Sequence, residues 1–457
     1  MPGDNRPNLL FLMADQHRHD WLGAAGASWV ATPNLDRLAT RAVRFAQATC
    51  NSPLCAPSRI SLATGLQPHR LGALSNAAFL PTGAATYYQT LRDAGYRVGF
   101  VGKIDLHKPN PYNGRDGNLP ITYSYGFTDP VECEGKAHAG AGWDWERNQP
   151  RPNGPYNQYL LDRDKLHIFC EDYRRRQHTP VWYAEDSVLS TEETEDSYIG
   201  RRACRFLEQV ADDSPWHLFV SFVGPHDPWD PPSEFGEHFR NAPMPAPISD
   251  PLHDKPAWQR KKAQRQAGAS PDQVTRVRRQ YTAALELIDT QIGRILETLE
   301  RRGQTGRTYA VYSSDHGEML GDHGFYQKSI AYEAALRVPL LVAGPNIGAG
   351  VSEGLVELSD VNPTLLELAG LVPCRRLDAR SFVPLLHDPK AEYRVDALSA
   401  LTNFRVLRTH RHKLIDNYND IPELYDLQDD PQELHNLAGE RSDLVATMRR
   451  RLDHRML

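Results

Sequence analysis

Residues Asn8 to Ala14 (NLLFLMA) form a short, unbroken apolar run that stops at Asp15 and Gln16. A run of that length without polar alternation predicts a strand buried on both faces. The pattern returns three times. TLRDAGYRVGFVGK reads as a helix end, a glycine turn and a strand reaching Lys103. WHLFVSFVGPHDP reads as a strand running into His226, and RTYAVYSSDHGE as one running into Asp315 and His316. Four predicted strands therefore end on chemically competent side chains.

Between these runs the hydrophobic period lengthens. Helices are predicted over Thr32 to Arg44, Ala85 to Ala94, Ser197 to Val210, and about Thr275 to Arg302, where Tyr281, Leu285, Ile288, Ile292 and Ile295 share a face. Strands alternating with helices predict an α/β fold, a mainly parallel sheet sandwiched by helices. Ligands of such sheets bind beyond the carboxyl ends of the strands, where the polar residues lie. Residues 114–195, rich in Tyr, Pro, Asn and charge, are expected as rim loops or an insertion that shapes specificity. Residues 243–272 are expected as a second such segment, with Arg260, Lys261, Lys262 and Arg265 on a solvated helix face. After Asp360, DVNPTLLELAGL predicts one more helix, and FRVLRTHRHKLIDN with ELYDL predicts short strands. The expected organisation is a catalytic α/β domain over 1–375 and a small C-terminal α+β subdomain over 376–457, built on a short antiparallel sheet.

Composition narrows the function. Over 457 residues, 40 % are hydrophobic and 24 % charged, an ordinary globular balance, and a net charge of -6 gives no general pull toward nucleic acid or an anionic membrane. No stretch approaches the roughly 20 apolar residues of a membrane span, and the run at Leu9 is too short for the core of an export signal. Six cysteines without framework spacing fit a reducing compartment, so a cytoplasmic location is expected.

The pairs Asp15-Gln16 and Asp315-His316 offer two carboxylates, an amide oxygen and an imidazole, a donor set for one divalent cation such as Ca, Mn or Mg. Either pair alone reads better as a helix cap; together, at matching strand ends, they favour metal. Cys55, in SPLCAPSRISLATG, stands where a helix begins, and the helix dipole favours its thiolate.

Cys55-Ala56-Pro57-Ser58-Arg59, followed by Leu62, Thr64 and Gly65, resembles the C-x-P-S-R signature of the type I sulfatases. The resemblance runs on through Asp15, Gly102-Lys103, Pro225-His226, Asp315-His316-Gly317-Glu318 and Glu423-Leu424-Tyr425-Asp426-Leu427. It implies an alkaline phosphatase-like fold and hydrolysis of small-molecule sulfate monoesters to alcohol and sulfate. It also implies that a formylglycine-generating enzyme matures Cys55 to formylglycine. One hydroxyl of the hydrated aldehyde would attack sulfur in line, and deprotonation of the other would expel sulfate and restore the aldehyde. By the same resemblance Asp15, Gln16, Cys55, Asp315 and His316 surround the metal, and Arg59 stabilises the hydrated aldehyde. Lys103 and Lys328 bind the nonbridging oxygens, His226 sits beside the leaving-group oxygen, and Asn76 touches the transferred group.

Two departures matter. The family commonly has His two residues after the lysine, where this chain has Asp105; His107 is expected to substitute. Gln16 replaces a second Asp and, with Asn76, resembles the phosphonate monoester hydrolase and choline-sulfatase-like branches. Phosphonate monoester or phosphodiester hydrolysis by the same nucleophile is therefore the alternative. A non-catalytic binding protein, or a phosphatase or phosphomutase with a Ser or Thr nucleophile, is disfavoured because Cys55 and every candidate ligand are present. Leaving group and oligomeric state stay open.

Overall fold

A computed structural model describes residues 6–110 and 112–457. Its strands are β1 (Asn8–Ala14), β2 (Ala42–Thr49), β3 (Arg97–Gly102), β4 (Asp129–Glu132), β5 (Trp143–Asp144), β6 (Gln149–Pro150), β7 (Trp216–Ser221), β8 (Thr308–Ser314), β9 (Leu340–Ala343), β10 (Gly350–Glu357), β11 (Ala397–Leu401), β12 (Phe404–Arg408), β13 (His412–Asn417) and β14 (Glu423–Asp426). Eight of them make one sheet in the order β10-β2-β9-β8-β1-β7-β3-β4. Only β9 runs against the others, pairing antiparallel with both β2 and β8.

The unbroken apolar character of β1 follows from its place in the middle. Leu9, Phe11 and Met13 enter the core on one face of the sheet, and Leu10, Leu12 and Ala14 the core on the other. Helices Glu195–Gln209 and Pro271–Arg301 cover the second face; their Ile199, Ala203, Ile288, Ile292 and Ile295 are fully buried. The long helix starts at Ser270, whose hydroxyl accepts from the Gln273 amide in a capping box, with Pro271 at the first helical position.

The predicted helix over Thr32 to Arg44 is corrected. It ends at Ala39, and Ala42 to Thr49 is strand β2. Val43 and Phe45 are buried while Arg44 is not, an alternation that a helical reading absorbed into its own period. Residues 114–195 contain more regular structure than a set of loops: β4 extends the sheet edge, and helices Pro155–Leu161 and Leu166–Arg176 pack beside it. In 243–272 the basic run lies on helix Ala257–Gln266, where Arg260 and Lys261 are exposed but Lys262 is half-buried.

β11 to β14 form a separate antiparallel sheet. Phe404, Val406, Ile415 and Tyr425 on one face join the main core. Leu398, Leu407, Leu414 and Leu424 on the other pack against Val445, Met448 and Leu452 of the final helix, Ser442–Met456. Leu385 and Leu386, just beyond residue 375, also belong to the main core.

Candidate active site

β8, β1, β7 and β3 are neighbours and parallel, so Asp315, Asp15, the His226 loop and Lys103 emerge at one edge of the sheet. Cys55 is the first residue of helix Cys55–Thr64, every residue of which is buried. Leu54 precedes it in extended conformation and supplies no side-chain cap. Asn76 does so instead, its Oδ1 accepting from the Ala56 amide at 3.1 Å, so the residue expected at the transferred group touches the nucleophile's neighbour.

Cys55 Sγ lies 3.3 Å from His316 Nε2 and 3.9 Å from Asp15 Oδ1. Donor atoms of Asp15, Cys55, Asp315 and His316 all fall within 4.8 Å of one another, and all four residues are buried. His316 Nδ1 lies 2.9 Å from the Gly317 carbonyl, which fixes the tautomer and leaves the Nε2 lone pair facing the cluster. Two carboxylates and an oriented imidazole fit a divalent cation.

Arg59, one helical turn beyond Cys55, ties the strand ends together. Its guanidinium donates to Asp315 Oδ2 at 2.9 Å, Asp15 Oδ2 at 3.1 Å, the Lys103 carbonyl at 2.5 Å and Ser221 Oγ at 2.7 Å. Lys103 leaves β3 through Gly102, at φ 113°, where an added Cβ would stand 1.9 Å from the Ser221 carbonyl oxygen; only glycine makes this turn. The Lys103 ammonium bonds Asp15 and lies 3.4 Å from Asp105. Opposite, the Lys328 ammonium bonds Gln16 Oε1 and lies 2.5 Å from His226 Nε2, while Gln16 Nε2 donates to Glu318.

Gln16, Asp105, Gln327 and Ser329 all have φ between 56° and 76°. Such left-handed backbone at non-glycine residues costs roughly 1 kcal/mol or more each and gathers at functional sites. The Tyr281 hydroxyl holds the Gln16 turn, donating to the Gln16 carbonyl at 2.7 Å and accepting from the Arg18 amide at 2.9 Å.

The charges are strongly coupled. Burial would raise the Asp15 carboxyl, but Lys103, His226, Arg59 and Lys328 outweigh it and hold Asp15 well below the usual carboxylate range. Burial and Asp15 would raise the Cys55 thiol, yet Lys103, Lys328 and Lys108 bring it well below its ordinary value. Burial disfavours the charged forms of both lysines; Asp105 and Asp15 restore Lys103, and Cys55, Asp227 and Asp15 restore Lys328, each ending above normal.

The structure thus gathers Asp15, Gln16, Cys55, Arg59, Lys103, His226, Asp315, His316 and Lys328. His107 stands apart: its Nε2 pairs with Glu132 Oε2 at 2.8 Å, and its buried Nδ1 has no hydrogen-bond partner. The position beside Lys103 is filled by Asp105, which also pairs with Lys108. Glu318 and Asp227 were not singled out, although each lies inside a quoted motif, DHGE and PHDP. Lys262, expected on a solvated face, instead donates its amine to the Lys328 carbonyl, and burial brings it down to about 8.

Two family models match the chain. Residues 7–371 match the sulfatase model, and residues 321–456 match that of the C-terminal region of N-sulphoglucosamine sulphohydrolase. A choline-sulfatase of Rhizobium meliloti is 29 % identical over 451 residues, covering 95 % of this chain and 82 % of its own. An arylsulfatase of Clostridium perfringens is 27 % identical over 468 residues, covering 95 % and 90 %. A phosphonate monoester hydrolase of Agrobacterium radiobacter shares the fold with a TM-score of 0.80 at 24 % identity, over 99 % of this chain and 95 % of that one. Since the sulfatase model spans residues 7–371, well over half of its length, the chain belongs to the sulfatase family.

Proposed function

We propose that the protein hydrolyses sulfate monoesters with residue 55, matured from Cys55 to formylglycine, as nucleophile. The observation that carries this reading is the position of Cys55: at a buried helix start, 3.3 Å from His316 and within a field set by Lys103 and Lys328. Hydrated formylglycine at position 55 supplies the attacking oxygen. Asp15, Gln16, Asp315 and His316 would hold a divalent cation, which would supply Lewis acidity to the site when bound.

The side chains do the rest. Arg59 fixes both carboxylates and, through the Lys103 carbonyl, the end of β3. Lys103 and Lys328 both act on Asp15 and neutralise the nonbridging sulfuryl oxygens as charge shifts onto them. His226, against the Lys328 ammonium, delivers a proton to the departing alkoxide oxygen. Asp105 keeps Lys103 charged. Asn76 holds the start of the nucleophile helix.

The same clamp accepts a tetrahedral phosphorus monoanion, and Gln16, neutral where an acid would add a charge, supports phosphonate monoesters and phosphodiesters as the second reading. Six free cysteines, four of them buried, support a reducing, cytoplasmic setting in which a formylglycine-generating enzyme acts. No helix among the described residues is long and apolar enough to cross a membrane.

The test compares hydrolysis of an aryl sulfate, an aryl phosphonate monoester and an aryl phosphodiester by metal-loaded protein whose Cys55 conversion is verified by mass spectrometry. Sulfate turnover that dominates and falls at least about 10⁴-fold in Cys55→Ala is the expected result. Dominant turnover of a phosphorus ester would transfer the assignment to the second reading. No turnover of any of the three by fully converted protein would remove both.

A further inference from the structure

Lys328 sits on a loop whose backbone is left-handed on both sides of it, at Gln327 with φ 65° and at Ser329 with φ 67°. Backbone of that kind persists at non-glycine residues only where its surroundings fix it. Part of the fixing is local to the site. The Ser329 amide donates to the Pro53 carbonyl at 3.0 Å, the Gln327 amide to Glu318, and the Gln327 side-chain amide to Asp227 Oδ2 at 2.7 Å. The rest comes from helix Ala257–Gln266, which carries no residue of the catalytic constellation. Lys262 donates its amine to the Lys328 carbonyl. Gln266 holds Tyr326 twice, accepting from its amide at 3.1 Å and donating to its carbonyl at 3.2 Å.

Gln259, Lys262 and Gln266 fall at i, i+3 and i+7, one stripe of the helix, where a docked helix ordinarily places apolar residues. Apolar side chains there would bury without needing a partner; amides and an amine are stable in that place only when each is bonded. At the other end of the stripe Gln259 donates to Glu423 Oε1, on β14, at 2.6 Å. The helix start has no side-chain cap of its own and takes Asp420 from the turn between β13 and β14, which accepts from the Ala257 amide at 2.8 Å. The Trp258 indole donates to Asn417 at 3.2 Å, and its ring stacks on Phe404 with centroids 6.1 Å apart. The helix is thus fastened to the C-terminal sheet at one end and to the Lys328 loop at the other.

Lys328 needs such support. Its ammonium bonds Gln16 Oε1 and lies against His226 Nε2, contacts that compete with a substrate oxygen. Once they loosen, a flexible four-carbon stem takes its position from the backbone. A misplacement of about 1 Å at such a group costs about 10²-fold in rate. We infer that Lys262 and Gln266 are positioning residues for Lys328, holding the backbone at and before it so that helix Ala257–Gln266 aligns the clamp from the C-terminal subdomain. Both act through the loop, since their bonds go to its backbone. This role rests on the place of Lys328 in the anion clamp and is the same whether the transferred centre is sulfur or phosphorus.

The test has two parts, both on the full chain with Cys55 conversion verified and metal supplied. Crystal structures of Lys262→Met and Gln266→Ala need no substrate. The Lys328 ammonium is expected to leave Gln16 Oε1 and His226 Nε2 in at least one of them, and an ammonium in place in both overturns the inference. Turnover of the best of the three aryl esters is then compared in a double-mutant cycle with Lys328→Met. Each helix variant alone is expected to lose about tenfold in kcat with KM changed by less than about twofold, but no more than about twofold in kcat once Lys328→Met is present. A loss as large in the Lys328→Met background as in wild type is general damage to the scaffold and overturns the inference, as does an unchanged kcat in both single variants. Thermal melts establish that the variants are folded; if Gln266→Ala does not fold, Lys262→Met, which keeps the stem and removes the amine, carries both parts. Lys328→Met that turns over like wild type faults the clamp itself and overturns the inference with it. No turnover by wild type faults the ester reading instead, and the crystal structures still decide.

Discussion

Asp15 and a second set of buried carboxylates, Glu134, Glu195 and Asp196, have opposite electrostatic fates. Asp15 is fully buried and held strongly ionised, because Arg59, Lys103, Lys328 and His226 converge on it. Glu134, Glu195 and Asp196 are about as buried, yet all three are pushed upward, first by burial and then, for Glu195, by the neighbouring acids. Their bonds run mainly to backbone. Glu134 accepts from the Tyr156 and Asn157 amides at 3.2 and 2.7 Å, Asp196 from Val223 and Gly224 at 2.9 and 3.1 Å, and Glu195 from Gly135 at 3.2 Å. Burial alone therefore does not prepare an acid for chemistry; the count of cations around it does. The first group carries fixed negative charge toward a metal, and the second ties the rim to the loop that carries His226.

The sharpest way to break this comparison is Asp15→Asn, which keeps the shape and removes the charge. Activity is expected to fall by more than about a thousandfold, the several kcal/mol that metal-assisted charge stabilisation supplies. Steady-state turnover across a metal titration checks it; a metal dependence identical to wild type would demote Asp15 from ligand to scaffold. Next in size is Lys103→Met, expected to lower kcat by about 10²–10³-fold with Cys55 conversion intact. An effect confined to KM would show that Lys103 only binds the ground state. His226→Ala separates leaving groups: a loss of about 10²-fold or more on an alkyl sulfate is expected from a missing general acid, and much less on 4-nitrophenyl sulfate. Equal losses on both esters would place His226 in the Lys328 contact alone.

Much of the catalytic side of this comparison was legible in the sequence because buried parallel strands have an unmistakable pattern. An apolar run bounded by Asp15-Gln16 or Asp315-His316 marks both strand and site. The helix start at Cys55 was legible from its small residues and Pro57. What escaped depends on tertiary packing. AVRFAQAT, β2, has no continuous run, and LLVA, β9, is too short to distinguish from a turn between prolines. His107 and Asp105 competed for one position, and only the fold decides that Asp105 stands next to Lys103 while His107 pairs with Glu132. Lys262 shares a basic run with Arg260 and Lys261; which of the three turns inward depends on where helix Ala257–Gln266 docks. The acids at 134, 195 and 196 carried no signal at all, since a carboxylate that accepts backbone amides looks in sequence like any surface Glu or Asp.

The smallest predicted effect concerns those acids and is read in stability rather than turnover. Glu134 is pushed up to about 7 by burial, against 4.5 ordinarily, despite its bonds to backbone amides. The folded state therefore holds a proton between pH 4.5 and 7 that the unfolded chain has released. Stability from this group is complete below pH 4.5 and is lost as pH rises through 7, by roughly 3 kcal/mol at 1.36 kcal/mol per unit. Glu134→Gln keeps one acceptor oxygen and cannot ionise, so urea unfolding should show the variant gaining on wild type by about that amount between pH 5 and pH 8. Asp15 has the opposite sign: its carboxylate stabilises above the unfolded value near 3.8, and that contribution disappears only in strong acid. A Glu134→Gln variant that parallels wild type at every pH would mean that Glu134 is ionised in the folded protein, and the two carboxylate groups would then differ in location but not in charge.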